Sequence, residues 1–220
     1  MKCTLSEFKK GRRTHRTYKY KNHQYPSVHA ILNIIRGEHT WMYKEALTIG
    51  SVCHKIIENH ILRELKGIDI AWDDNDHMQE DFPKSLFKEY RHYSEPIIQW
   101  IKDNPEITYP KLEHPMVSPL IEYGGTIDAI AHGLINDENN PSITTDFLID
   151  WKMAKKMYPD YLLQAAAYLG MVPCQEFWFV RCDKEGGLEV HKYKKTDPQI
   201  QEAWKTFQGA RDVFRWKYGF

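Results

Sequence analysis

The chain lacks an excess of charge of either sign, because its 30 basic residues balance its 30 acidic ones. A strongly basic protein attracts nucleic acid with its whole surface, and an even balance excludes that mode of binding. Any contact with a polyanion must therefore come from a local cluster of basic side chains.

Cysteine is scarce, and the few cysteines are scattered along the chain. Cys3, Cys53, Cys174 and Cys182 show no C-x-x-C spacing, so neither a disulfide framework nor a zinc knuckle is expected. This pattern suits a reducing compartment.

Long apolar runs are also missing. No stretch approaches the roughly 20 apolar residues of a membrane-spanning helix, and the N-terminus has no apolar signal-peptide segment. We therefore expect a soluble, intracellular protein without membrane contacts, in the cytoplasm of a bacterium or of a phage-infected cell. A mitochondrial presequence is disfavoured, since the basic N-terminus is rich in aromatic residues.

What the chain does contain is a pair of apolar, β-branched runs that each carry an aspartate. The first run surrounds Asp128, and the second extends from Phe147 to Ile149 and ends at Asp150. A polar turn at 136–142 separates them, which predicts two strands joined by a long hairpin loop. A buried carboxylate without a partner costs on the order of several kcal/mol, so both aspartates require compensation.

A lysine follows the second aspartate at the spacing that places both side chains on one face of a strand. Asp150 and Lys152 point to that face, and Trp151 points to the other. Carboxylates from two facing strands suit Mg²⁺ or Mn²⁺, and an ammonium beside them suits the hydrolysis of a phosphodiester. An isolated Asp-x-Lys is more often a structural ion pair at the end of a strand.

Three motifs together resemble the PD-(D/E)XK nucleases, and within them the RecB-type exonuclease branch. In that family an Asp on one strand precedes an Asp/Glu-x-Lys on the next, as do Asp128 and the segment 150–152 here. A Gln-x-x-x-Tyr on the following helix is similar to Gln164 and Tyr168. An upstream Gly-x-x-x-His-x-x-x-Glu is similar to Gly50, His54 and Glu58.

The N-terminal part adds a fourth motif to this resemblance. The tract Tyr25-Pro26-Ser27-Val28 is similar to the opening motif of the mitochondrial genome maintenance exonuclease-like and phage exonucleases. The resemblance then covers about positions 25 to 210. It implies a restriction-endonuclease-like fold of the α/β class, with a mixed central sheet flanked by helices.

The resemblance also implies roles for particular residues. Asp128 and Asp150 would hold one or two Mg²⁺ or Mn²⁺ ions together with the Trp151 carbonyl, and Lys152 would orient or activate the attacking water. Gln164 and Tyr168 would hold the substrate backbone. Some relatives carry an iron–sulfur cluster on one N-terminal and three C-terminal cysteines, a set that this chain lacks, so no cluster is expected.

For two auxiliary metal ligands, the motifs leave alternatives open. Relatives supply a Glu ahead of the first Asp, and Glu113 is the better candidate, with Glu122 as its rival. His54 stands one helical turn before Glu58, and the motif favours His54 as an extra ligand or a phosphate contact. A lone histidine on such a helix is otherwise more often part of the core.

A basic, aromatic segment at 1–24 precedes the single nuclease domain expected at 25–220. Arg12 and Arg13 could neutralise phosphates while Tyr18 and Tyr20 stack on unpaired bases. A solvated and partly disordered arm is an equal alternative. Two lysines that follow the Asp-x-Lys motif extend the expected DNA path: Lys155 and Lys156.

The remaining patterns predict the elements around the site. Helical spacing is found at 41–65, 159–169 and 198–218, and strand patterns at 176–181 and 188–193. The segment 71–95 begins with many carboxylates, which predicts a solvated surface away from the DNA before a helix that continues through Ile101.

The function expected from the resemblance is a metal-dependent DNA exonuclease that prefers single strands with a free end. Two alternatives remain open: a DNA-binding or replication-assembly protein that keeps the fold without turnover, and a structure-specific or sequence-specific endonuclease. The intact Asp128, Asp150 and Lys152 argue against the first.

Overall fold

The protein is described here from a computed structural model, which defines residues 3–10, 13–36, 44–67, 84–137 and 140–220. Arg12 and the carboxylates between 73 and 81 lie outside these described residues. No helix within them is both long enough and apolar enough to cross a membrane.

A five-stranded sheet forms the centre of the fold. Its strands are β4 (Thr108–Ser118), β5 (Tyr123–Asp137), β6 (Asn140–Met153), β7 (Glu176–Cys182) and β8 (Leu188–Lys194), and they lie in that order across the sheet. All neighbours are antiparallel except β6 and β7, which run parallel. A parallel pair requires a crossover connection, and α4 (Pro159–Met171) supplies it.

Helices cover both faces of this sheet. One face packs against α4, α1 (Val28–Arg36) and α5 (Pro198–Tyr218). The other packs against α2 (Lys44–His60), a π-helical turn at Ile61–Leu65, and α3 (Lys84–Asp103). Side chains alternate between these two cores along β6, because Leu148 faces the first and Ile149 the second. The predicted mixed sheet flanked by helices is confirmed.

Within the described residues, the N-terminal segment forms strands of its own, which argues against the alternative of a partly disordered arm. The strands β1 (Thr4–Lys10), β2 (Arg13–Tyr20) and β3 (His23–Pro26) form an antiparallel sheet. This small sheet contacts the large one through Tyr18, whose hydroxyl lies 2.8 Å from Thr126 Oγ1. The described part of the segment therefore packs on the rest of the protein.

The Pro-Ser-Val tract marks the start of α1. The Ser27 hydroxyl accepts a hydrogen bond from the Ala30 amide at 3.0 Å, which is the usual way a serine caps a helix. Val28, Ile31 and Leu32 then face the core and are fully buried. The motif therefore has a structural role, in that it fixes where α1 begins beside the sheet.

Candidate active site

The two motif aspartates lie on neighbouring strands. Asp128 is on β5 and Asp150 on β6, and the register pairs Ala129 with Ile149 between them. The Trp151 amide donates a hydrogen bond to Asp128 Oδ2 at 3.0 Å. The predicted hairpin thus brings both carboxylates to one place in the sheet.

Asp150, Lys152 and Gln164 form a closed cluster, named here the lysine cluster. Lys152 Nζ lies 2.5 Å from Asp150 Oδ2 and donates to Gln164 Oε1 at 3.0 Å. The Gln164 amide in turn donates to Asp150 Oδ1 at 3.0 Å. Asp150 and Gln164 are both buried, so each of these polar groups needs the others in order to leave water.

His54, Glu113 and Asp128 form a second group, named here the acidic cluster. One ligand atom from each side chain lies within 4.8 Å of the others. His54 Nδ1 is 3.3 Å from Asp128 Oδ2 and 4.0 Å from Glu113 Oε1. Asp150 is outside this group, since its oxygens face Lys152 and Gln164.

The orientation of His54 follows from its second ring nitrogen. Nε2 lies 2.7 Å from the Trp151 carbonyl oxygen, and a carbonyl can only accept, so Nε2 carries the hydrogen. Nδ1 is therefore the nitrogen available to a cation beside Asp128 and Glu113. Trp151, predicted as a backbone ligand, uses its carbonyl for this bond to His54.

Backbone strain marks Glu113. Its φ is +42° in the middle of β4, a left-handed conformation that a non-glycine residue rarely adopts in a strand. Strained residues of this kind concentrate at functional sites. Glu122, the rival candidate, pairs instead with Arg215, so Glu113 is the glutamate that meets Asp128.

Burial and like charge disfavour the ionised form of Glu113 in the acidic cluster. Burial and the neighbouring Asp128 raise the pKa of Glu113 to about 7. Burial lowers the pKa of His54, but the surrounding carboxylates outweigh it and raise the value to about 9. The pKa of Asp128 is lowered, because His54 and Lys152 overcome the opposing effect of burial. Carboxylate oxygens that crowd together in this way fit a hard divalent cation such as Mg²⁺ or Mn²⁺.

His54 belongs to α2, and the packing of this helix positions it in the acidic cluster. Val52, Ile56 and Ile57 are buried against α3 and the sheet, which fixes the face of α2 that lies toward the site. Glu58, the last residue of the motif, forms an ion pair with Lys55 at 2.7 Å. It contributes charge near Glu113 but is not part of the acidic cluster.

Gln164 and Tyr168, which were predicted to hold the substrate backbone, are both buried within the fold. Tyr168 stacks on Phe177, with ring centroids 6.3 Å apart and an interplanar angle of 5°. Its ring lies so close to Gly125 that a Cβ there would overlap it. The glycines at 124 and 125 thus make room for tyrosine rings, Tyr18 at the first and Tyr168 at the second.

The basic and aromatic residues predicted to bind DNA differ in how exposed they are. Tyr18 is only 1% exposed and cannot serve as a stacking platform, so that interpretation is wrong. Tyr20 is half-buried, and Lys21 Nζ lies 5.5 Å from its ring centroid. Of Arg13 only the backbone, in β2, is described.

Lys155 and Lys156, which were predicted to extend the DNA path, follow closely after Lys152 in the sequence. Both are exposed in the turn between β6 and α4, a few residues after Lys152. Lys156 Nζ lies 5.5 Å from the ring centroid of Tyr158, which is itself exposed.

Two residues near the site were missed at the level of sequence. His29, on α1, lies near the site, since the charges of Lys152 and Asp128 both act on its ring; the surrounding protein and the positive charges of Lys152, Arg36 and Arg16 lower its pKa. Tyr161, on α4, has its ring 4.9 Å from Lys152 Nζ. Its position one helical turn before Gln164 is the sequence signal that could have found it.

Comparisons with known proteins identify no family for the chain. No protein-family model matches the chain, and no curated protein matches it. A candidate exonuclease from Eubacterium rectale is 15% identical, with 88% of this chain and 75% of that one covered, at a TM-score of 0.49.

An alkaline exonuclease from Laribacter hongkongensis is 14% identical, with 85% of this chain and 87% of that one covered, at a TM-score of 0.41. A second structure of that enzyme, in complex with dAMP, is 15% identical over 85% and 86% of the two chains, at a TM-score of 0.38. Likenesses at these identities and scores do not decide the function, which must be argued from the residues of the site.

Proposed function

We propose that the protein is a Mg²⁺- or Mn²⁺-dependent DNA exonuclease that prefers single strands with a free end. The observation that carries this proposal is the juxtaposition of the acidic cluster with the lysine cluster, linked by the Trp151 amide that donates to Asp128. Carboxylates that need a cation and an ammonium beside them suit phosphodiester hydrolysis.

Asp128, Glu113 and Nδ1 of His54 would hold the cation, with Asp150 beside them. When bound, a divalent cation offsets charge on the phosphoryl oxygens and lowers the pKa of coordinated water. The Trp151 carbonyl accepts from His54 Nε2 and so fixes which ring nitrogen faces the carboxylates. This orientation of a ligand by its second partner is common at metal sites.

Lys152 supplies the fixed positive charge. Asp150 and Gln164 hold its ammonium from two directions, and an ammonium has three hydrogens to donate. One donor is therefore left for a phosphoryl oxygen or an attacking water. Gln164 is buried and its amide binds Asp150 and Lys152, so we assign it to holding these two side chains and not to contact with the substrate.

The DNA strand would pass over the exposed lysines after β6. Lys155 and Lys156 can neutralise backbone phosphates next to the site, which a chain without net charge requires. The preference for single strands and free ends is taken from the resemblance to the RecB-type branch.

Cleavage of matched DNA substrates tests the proposal. We expect end-labelled linear single-stranded DNA to be degraded with Mg²⁺ or Mn²⁺ and to persist in chelator, whereas covalently closed single-stranded circles persist in both. Asp128→Asn serves as the inactive control for contaminating nuclease. Cleavage of the circles would indicate an endonuclease, and binding of DNA without any cleavage would indicate a silent assembly protein.

A further inference from the structure

Two aromatic rings surround the ammonium of the lysine cluster. Lys152 Nζ lies over the Tyr161 ring, 4.9 Å from its centroid, and over the Phe179 ring at 5.8 Å. The two rings are 5.9 Å apart at an angle of 33°. The faces of aromatic rings carry partial negative charge, so both rings attract a cation at these distances.

The fold fixes both rings independently of Lys152. Tyr161 lies in the first turn of α4, one turn before Gln164, so both side chains reach the ammonium from the same face of the helix. An ion pair of 2.6 Å between Arg36 and Asp160 holds this turn against α1. Phe179 is fully buried on β7, directly opposite Asp150 in the parallel register.

We propose that Tyr161, supported by Phe179, is a positioning residue that holds the Lys152 ammonium in place through the face of its ring. Asp150 and Gln164 then direct two hydrogens of the ammonium, while the rings restrict its movement. The inference rests on the proposed function for its catalytic consequence, but the restriction of Lys152 is a property of the protein alone.

The contact predicts which part of Tyr161 matters. The π face interacts with the cation, so Tyr161→Phe should behave like the natural protein. Tyr161→Leu removes the face and should lower the single-turnover cleavage rate at saturating DNA about tenfold, the scale of one cation–π contact with a partly desolvated ammonium. DNA affinity measured in chelator should stay unchanged, because the ring acts through Lys152.

A second measurement does not depend on cleavage. In the metal-free protein, the rate at which an amine-reactive reagent modifies Lys152, followed by peptide mass spectrometry, reports how well the ammonium is held. We expect Tyr161→Leu to raise that rate and Tyr161→Phe to leave it unchanged. Tyr161→Met, which fills more of the space without a π face, provides the same comparison if the leucine variant does not fold.

Tyr193→Leu is the matched control. The ring centroids of Tyr193 and Phe179 lie 6.0 Å apart, and Tyr193 is partly buried. Among the described contacts, Tyr193 does not reach Lys152. General loosening of the aromatic core would therefore affect both variants alike.

The proposal would be overturned by unchanged labelling of Lys152 in the leucine or methionine variant, by equal effects of Tyr161→Phe and Tyr161→Leu, or by equal effects of Tyr193→Leu and Tyr161→Leu. If the natural protein cleaves no DNA, the proposed function fails, while the labelling experiment still decides the role of Tyr161.

Discussion

The two clusters of the site differ in how completely their charges are compensated. In the lysine cluster, the Lys152 ammonium lies against Asp150 and Gln164, although burial still raises the pKa of Asp150 to about 6. In the acidic cluster, His54 is the only basic group within 4 Å of Glu113 and Asp128 among the described ion pairs. The lysine cluster thus contains its own fixed cation, whereas we propose that the acidic cluster receives one.

Removal of a carboxylate from the acidic cluster should have the largest effect. Asp128→Asn preserves shape and the hydrogen bond from the Trp151 amide, but it takes away the charge that would hold the cation. We expect loss of detectable cleavage of single-stranded DNA together with a normal circular dichroism spectrum and normal DNA binding. Measurable turnover in this variant, beyond that of a mock preparation, would contradict the assignment.

Removal of the ammonium should be the next largest effect. Lys152→Ala should lower the cleavage rate by about a hundredfold or more, the usual scale for loss of one preorganised charge, while binding of Mn²⁺ is retained. Lys152→Arg should also fail, because a planar guanidinium does not fit the place of a compact ammonium between Asp150 and Gln164. Rapid-quench measurement at saturating DNA separates this effect from affinity.

A third substitution, Glu113→Gln, tests how much the ionised carboxylate of Glu113 destabilises the folded protein. The folded-state pKa of Glu113, about 7, lies above its ordinary value of 4.5. The folded protein therefore holds this proton more tightly than the unfolded chain does, and ionisation of Glu113 destabilises the fold as pH rises from about 4.5 to 7.

In chelator, Glu113→Gln should accordingly have a higher free energy of unfolding than the natural protein at pH 8, and the difference should vanish near pH 4. Urea unfolding at the two pH values measures this. An equal difference at both pH values would show that packing, and not charge, distinguishes the variant. The side chain is partly exposed, so the gain at pH 8 should be modest.

The smallest expected effect concerns the exposed lysines after β6. Lys155→Gln and Lys156→Gln should each weaken single-stranded DNA binding and reduce the slope of log affinity against log salt by about 0.7, the contribution of one phosphate contact. The rate at saturating DNA should not change. Fluorescence anisotropy at several salt concentrations checks this, and an unaltered slope in the double variant would place the DNA path elsewhere.

The sequence predicted the parts of the site that depend on local pattern. Alternation and turn residues located β5 to β8, and the pattern of the last helix located α5 at its observed bounds, Pro198–Tyr218. The site roles of Asp128, Asp150 and Glu113 came from the resemblance to the PD-(D/E)XK nucleases. The structure adds the register, in which β5 pairs with both β6 and β4 and so brings these three residues close together.

The parts that were missed depend on contacts distant in sequence. Tyr18 looked like an exposed ring in a basic tract, and only the packing of β2 against β5 buries it. Gln164 looked like a substrate contact on an alanine-rich helix, whereas its amide is buried between Asp150 and Lys152. A polar residue in an apolar helix can form its hydrogen bonds with the protein core or with a substrate. The sequence alone does not show which partner it has.

Titration of Mn²⁺ into the metal-free protein, followed by calorimetry, tests the central difference between the clusters most directly. We expect the natural protein and Lys152→Ala to bind the ion with similar affinity, and Asp128→Asn to bind it not at all or far more weakly. Equal binding by Asp128→Asn and the natural protein, or loss of binding in Lys152→Ala alone, would contradict the claim that the acidic cluster is the cation site.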